Sequence, residues 1–185
     1  CRARFWLAFG CGERSSEIVN YLLRPAREAE LAVDVYGVRY PDEARRKLGQ
    51  FGAKYHGWLA NSAAPQVFAK HLATVHVPRR FYTQVLPGIP TIRVFEALAC
   101  GIPLVSAPWD DSEHLFRVGQ DFLMVRNPAE MNRALIDVKQ DPALRESLVR
   151  SGLETITTRH TCAHRADELL SIVERMRAPE LESAA

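Results

Sequence analysis

The sequence predicts a doubly wound α/β domain, with a parallel sheet of about six strands covered by helices on both faces. Two observations carry this. Short apolar, β-branched or aromatic runs alternate with amphipathic stretches from one end of the chain to the other. The punctuation between them is also regular, with Ser, Asp or Pro opening helical stretches and Gly closing them. At 185 residues the chain has enough length for one full hydrophobic core.

Residues 4–9 (RFWLAF) form the first predicted strand, and Gly10-Cys-Gly-Glu-Arg14 the turn after it. A helix follows over about 15–30, capped by Ser15 or Ser16. Residues 31–38 read as the second strand, and Pro41 opens a helix running to about 51. Residues 54–59 form the third strand, and Ser62 caps a helix ending near His71. The fourth strand covers 73–77, with a long connection over 78–88. Pro90 opens a helix that stops at Gly101, and 102–107 form the fifth strand. A short helix over 112–118 leads to the sixth strand at 122–125. Helices over 128–140, 142–159 and 163–177 follow, and residues 179–185 read as a short, polar, mobile tail.

Composition excludes several classes. A formal net charge of +2, with the basic residues scattered, gives no general attraction to nucleic acid or anionic lipid. No run of about 18 apolar residues is present, so no membrane span is expected, and no basic-then-apolar leader opens the chain. Cys1, Cys11, Cys100 and Cys162 match no zinc spacing. The thiols read as reduced and the chain as cytoplasmic. The abrupt opening on Cys-Arg-Ala-Arg reads as a cut from a longer protein.

Open parallel sheets bind ligands beyond the carboxyl ends of their strands, where the strand order reverses. The loop that stands out there is Gly88-Ile89-Pro90-Thr91. Gly88 permits close backbone approach, and Pro90 and Thr91 open a helix whose first amides and dipole form an anion site. Glu96 follows Thr91 by five residues, at a distance that suits a ribose hydroxyl if phosphate sits at the helix start. The same residues also describe a plain capped amphipathic helix. Arg14, Arg79 and Arg80 lie after the first and fourth strands, and their guanidinium forks match phosphate oxygens. Taken singly, Arg79 and Arg80 fit a solvated basic turn better than a ligand, and Gly10–Arg14 a plain tight turn. Trp58, at a strand end, reads as a platform for a planar base or as core. Asp110, Asp111, Glu113 and His114 gather after the fifth strand without Asp-x-Asp spacing, and Asp111 reads as a helix cap. His71 and His76 flank or lie in an apolar strand, where satisfied core roles are expected.

Three stretches together resemble the carboxy-terminal domain of GT-B-fold glycosyltransferases, and in particular the bacterial spore-maturation group. They are GIPTIRVFEALACGIPLVSAPWDDSEHLF (88–116), GQDFLMVRNPAEM (119–131) and YHGWLANSAAPQVFAKH (55–71). The resemblance runs from about residue 4 to residue 176. It implies a nucleotide-sugar-binding Rossmann-like domain over 1–178, with the amino-terminal acceptor domain and its catalytic base absent from this chain. It also implies a nucleotide-diphosphate sugar as donor, with no metal and no other cofactor. By the same resemblance Glu96 binds the donor ribose and residues 88–91 lie against the diphosphate. Arg14, Arg79 and Arg80 neutralise it, and Trp58 and Leu59 border the base. Gly88 stands eight positions before Glu96, where many retaining members carry a second glutamate. Neither stereochemical outcome therefore follows. Two other readings share the architecture: half of a sugar-nucleotide epimerase, and a non-catalytic nucleotide-binding or assembly module.

Overall fold

A computed structural model describes residues 4–9 and 15–182, with side chains for residues 16–177. Six parallel strands lie in the order β3-β2-β1-β4-β5-β6. They are β1 (Arg4–Phe9), β2 (Ala32–Gly37), β3 (Lys54–Gly57), β4 (Ala73–His76), β5 (Leu104–Ser106) and β6 (Leu123–Met124). The order reverses between β1 and β4, which places the predicted ligand site beyond the carboxyl ends of those two strands.

Two apolar clusters cover the two faces. Along β4, Ala73, Val75 and Val77 belong to one cluster, while Thr74 and His76 alternate onto the opposite face. In β5, Val105 belongs to the first cluster and Leu104 to the second. The second face is the polar one. It buries Asp34, Thr74, His76 and Ser106 beside Phe68, Val94, Leu98 and Phe122.

The helix after β1 is not continuous. It runs as α1 (Ser15–Ile18), a π-helical turn (Val19–Leu23) and α2 (Arg24–Glu28). Pro25 explains the interruption, since its ring crowds the carbonyl four residues back and it has no N–H to donate. The backbone widens there, and the Arg24 N–H reaches Val19 O. Pro41 precedes α3 (Asp42–Gln50) as its N-cap. Ser62 does not cap a helix, because it sits inside a 3-10 turn (Asn61–Ala63) that leads into α4 (Ala64–Phe68).

α6 (Pro128–Gln140) and α7 (Pro142–Arg159) have the predicted bounds, for a visible reason. Asn127 Oδ1 accepts from the Glu130 N–H at 2.9 Å. Asp141 Oδ1 accepts from Ala143 N and Leu144 N at 2.8 and 3.0 Å. Each cap is followed by proline at the first helical position. Behind the sheet, α5 (Ile92–Ala99) and α7 pack closely. A Cβ on Gly152 would stand 2.8 Å from Leu98 Cδ2. The last helix, α8 (Cys162–Glu182), continues past Pro179 into what the sequence marks as a tail. Its Leu169, Leu170, Ile172 and Met176 are exposed.

The helix expected over 112–118 is absent. Asp111 instead accepts the Leu115 and Phe116 amides with its two carboxylate oxygens, at 3.1 and 2.9 Å. His114 adopts φ +51°, which ends any helical turn. A side chain that satisfies these amides itself competes with the helix it was expected to cap.

Candidate functional site

The predicted site is built from strand ends. His76 and Ser106 are the last residues of β4 and β5 and register partners, so their side chains lie together on the polar face. His76 Nδ1 is 2.9 Å from Ser106 Oγ, and Ser106 Oγ donates to Ala107 O at 2.8 Å. His76 Nε2 is 2.9 Å from Thr91 Oγ1. Thr91 is the N-cap of α5, with φ −87° and ψ 147°. The chain thus leaves β4, loops out over 77–90 and returns so that the start of α5 sits against the end of β4.

Four of the predicted ligand residues meet there. Gly88 is buried, with φ +87°. The close approach it permits is to the protein itself: a Cβ at this position would lie 2.2 Å from Ser112 Oγ. Glycine here seats the 86–91 loop on the loop that follows β5. Ile89 is exposed, Pro90 half-buried, and Thr91 faces His76. Glu96 lies about 7.5 Å further along the α5 axis, at 1.5 Å per residue. Its carboxylate is partly exposed and accepts from Arg93 Nη1. The apolar side of α5 turns inward through Val94, Ala97 and Leu98, which leaves residues 92, 93 and 96 toward the outer side.

The arginines divide. Arg14 lies outside the described residues. Arg79 is exposed. Arg80 Nε donates to Glu17 Oε1 at 2.6 Å, and its Nη2 to Ser16 Oγ at 3.1 Å. This joins the start of α1 to the segment after β4, across the point where the strand order reverses. Burial pushes the Glu17 carboxyl up. The hydrogen bonds from Arg80, from its own backbone and from Ser16 outweigh that and hold it below the ordinary value.

Trp58 and Leu59 follow β3, three strand spacings or about 14 Å from β4. Trp58 is 73% exposed, so it is no part of the core, whereas Leu59 packs against the second cluster. Their segment is tied down by a group that residue spacing alone did not reveal. Asp34 in β2 faces His56 Nε2 at 2.6 Å and His71 Nε2 at 3.2 Å. His71 Nδ1 is in turn 2.6 Å from Val67 O, and Tyr36 stacks on His56 at 4.7 Å. Burial pushes the Asp34 carboxyl up, and the bonds from the two imidazoles overcome it and hold it below the usual range.

His76 and Ser106 also escaped the sequence reading as site residues. The available signal was the alternation in Ala-Thr-Val-His-Val over 73–77, which turns two polar residues onto one face of an otherwise apolar strand. Trp109 lies edge-on to His76, with ring centroids 6.4 Å apart. Its indole Nε1 is buried without an acceptor among the described residues. Among those residues no three His, Cys, Asp or Glu side chains gather as metal ligands. No helix among them is long and apolar enough to cross a membrane.

The fold recurs in solved structures. Sucrose-phosphate synthase from Thermosynechococcus elongatus superposes with a TM-score of 0.73 at 15% identity, over 96% of this chain and 46% of that one. The C-terminal domain of a glycosyl transferase group 1 family protein from Francisella tularensis gives 0.64 at 15% identity, over 87% of each. T4 phage β-glucosyltransferase, solved in complex with UDP and Mn2+, gives 0.68 at 16% identity, over 90% of this chain and 45% of that one. This chain therefore spans less than half the length of two of these three, and matches the third, an isolated C-terminal domain, nearly end to end. The architecture is that of a GT-B C-terminal subdomain. No curated protein matches in sequence. The glycosyl transferase-like family pattern matches residues 14–171, and on that match the chain belongs to this family.

Proposed function

We propose that this chain is the donor-binding half of a glycosyltransferase that moves a sugar from a nucleoside diphosphate to an acceptor held by a second domain. The observation that carries the reading is the position of α5. Its start and Glu96 belong to the stretch that resembles the donor motif of the spore-maturation group. The start of α5 follows the carboxyl end of β4, the strand beside the reversal of strand order, and Glu96 comes about 7.5 Å further along the helix. In this reading the diphosphate lies on the α5 start, where the helix dipole favours negative charge, and Glu96 accepts from the ribose hydroxyls. Arg14, Arg79 and Arg80 neutralise the phosphates, Arg80 by exchanging Glu17 for the ligand. Residues 88–91 shape the floor, and Trp58 and Leu59 border the base. The departing diphosphate is stabilised by these fixed charges and dipoles without a metal. The free thiols of Cys100 and Cys162 accord with a reducing, cytoplasmic setting.

The test is calorimetric titration with uridine, guanosine, adenosine and thymidine diphosphates, for the wild type and Glu96→Ala, with and without Mn2+. Saturable binding of one diphosphate that weakens at least tenfold in Glu96→Ala supports the reading, since a charge-assisted bond is worth about 1.5–3 kcal/mol. Binding that appears only with Mn2+ removes the metal-independent part. Absence of binding in every arm sinks the donor-site assignment for this chain.

A further inference from the structure

We infer that His76 is a positioning residue that holds the Thr91 hydroxyl away from the amides of α5 and so keeps the helix start open to an anion. The inference rests on the donor-site reading above and assigns part of that site to a residue outside the ligand motif.

Threonine at an N-cap ordinarily turns its Oγ onto the second or third amide of the helix. Two other polar caps among the described residues behave that way: Asn127 and Asp141 both accept amides of the helices they open. Thr91 has the extended backbone of a cap, yet its side chain makes no bond to the helix. Its hydroxyl is spent on His76.

The ring that takes it is fixed from behind. Ser106 Oγ gives its proton to Ala107 O, so it meets His76 Nδ1 as an acceptor and Nδ1 carries the proton. Nε2 then presents its lone pair to the Thr91 hydroxyl. The bonds run in one direction, from Thr91 to His76 to Ser106 to the backbone. His76 is buried and Ser106 is fully so, and their partnership is set by the β4–β5 register, so the arrangement does not depend on a surface rotamer. In the rotamer that meets His76, Thr91 Oγ1 is seated against the end of β4 and accepts none of the first amides of α5.

The consequence is an inverted expectation for mutants. Removal of the imidazole releases Thr91 to cap its own helix, and the cap then competes with any phosphate. A threonine cap bond corresponds to about a fivefold change in equilibrium. Deleting the Thr91 hydroxyl as well removes the competitor and reopens the start.

The experiment compares wild type, His76→Leu, Thr91→Val and the double variant in the full 185-residue chain. His76→Asn serves in place of leucine if that variant does not fold, since its shorter amide meets Ser106 without reaching Thr91. The first readout needs no ligand: NMR amide exchange in the first turn of α5. Exchange should slow about fivefold in His76→Leu and return to the wild-type rate in the double variant. The second is titration with inorganic pyrophosphate, which His76→Leu should bind about fivefold more weakly than the wild type and the double variant more tightly than His76→Leu does. Unchanged exchange in His76→Leu, or a loss that Thr91→Val does not reverse, overturns the inference. If the wild type binds no pyrophosphate and no nucleoside diphosphate, the donor reading falls, and the exchange readout still decides the role of His76.

Discussion

Replacing Gly88 with alanine tests how tightly the loop before α5 is built. Two costs arise. The first is conformational: φ is +87°, in the region where an L side chain crowds its own carbonyl, at about 1–2 kcal/mol. The second is steric, because the new Cβ meets Ser112 Oγ at 2.2 Å and Ser112 Cβ at 3.3 Å. The hydroxyl is the far end of a short side chain and can rotate away, so this part is limited to a rotamer change of about 1 kcal/mol. The backbone term therefore dominates, and Gly88→Ala should lose about 2–3 kcal/mol in urea unfolding. Ser112→Ala alone, at an exposed position, should change stability by less than about 0.5 kcal/mol. The double variant should recover only the steric part, about 1 kcal/mol of the loss. Full recovery would refute the strained-backbone argument, and a neutral Gly88→Ala would refute the packing of the two loops altogether.

Asp34→Asn should flatten the acid limb of the stability profile. The folded carboxyl titrates below its unfolded value of about 3.9, so its contribution is complete above that pH and disappears as pH falls through the lowered value. The asparagine variant lacks this slope, and an unchanged acid transition would count against the Asp34–imidazole pairing. Asp121 and Glu154 both bond to Arg117 Nη2 at 3.1 Å, but Asp121 is fully buried and Glu154 largely exposed. Thermal unfolding should therefore show a much larger drop for Asp121→Asn than for Glu154→Gln, and equal drops would contradict the burial argument. Gly152→Ala should cost about 1–3 kcal/mol by overpacking Leu98, and in the Leu98→Ala background it should cost less or even stabilise. Additive losses across that cycle would show that α5 and α7 do not meet there.

Sequence legibility followed how local each cause was. α6 and α7 were readable to the residue because Asn127-Pro128 and Asp141-Pro142 carry both the cap and the first helical position within two residues. Pro90 was expected to open α5, but the helix starts at Ile92, with Thr91 as its cap and Pro90 before the cap. Failures came where a side chain chose a less local partner. Asp111 took amides four and five residues on and dissolved an expected helix. Thr91 took His76, fifteen residues back, in place of its own helix. The His76–Ser106 pair spans thirty residues and exists only through strand register. The Asp34–His71 contact spans thirty-seven. Residue types singled out the 88–91 loop, but the bonds that hold it were fixed by which strands became neighbours.

The π-helical turn at Val19–Leu23 sets the phase of a shaft. Its inner end is locked by the buried Leu22, Leu23 and Ala26, and its outer end carries Ser16 and Glu17 to Arg80. Each α-helical residue turns the shaft by about 100°. The extra residue in the wide turn therefore decides which way the outer end faces while the inner end stays seated. Excising one of residues 19–21 would turn the outer end by about 100° about the seated inner end and swing Glu17 out of reach of Arg80. The direction of the Glu17–Arg80 link is thus an integer property of the chain, changed by insertion or deletion and insensitive to most substitutions along the same stretch.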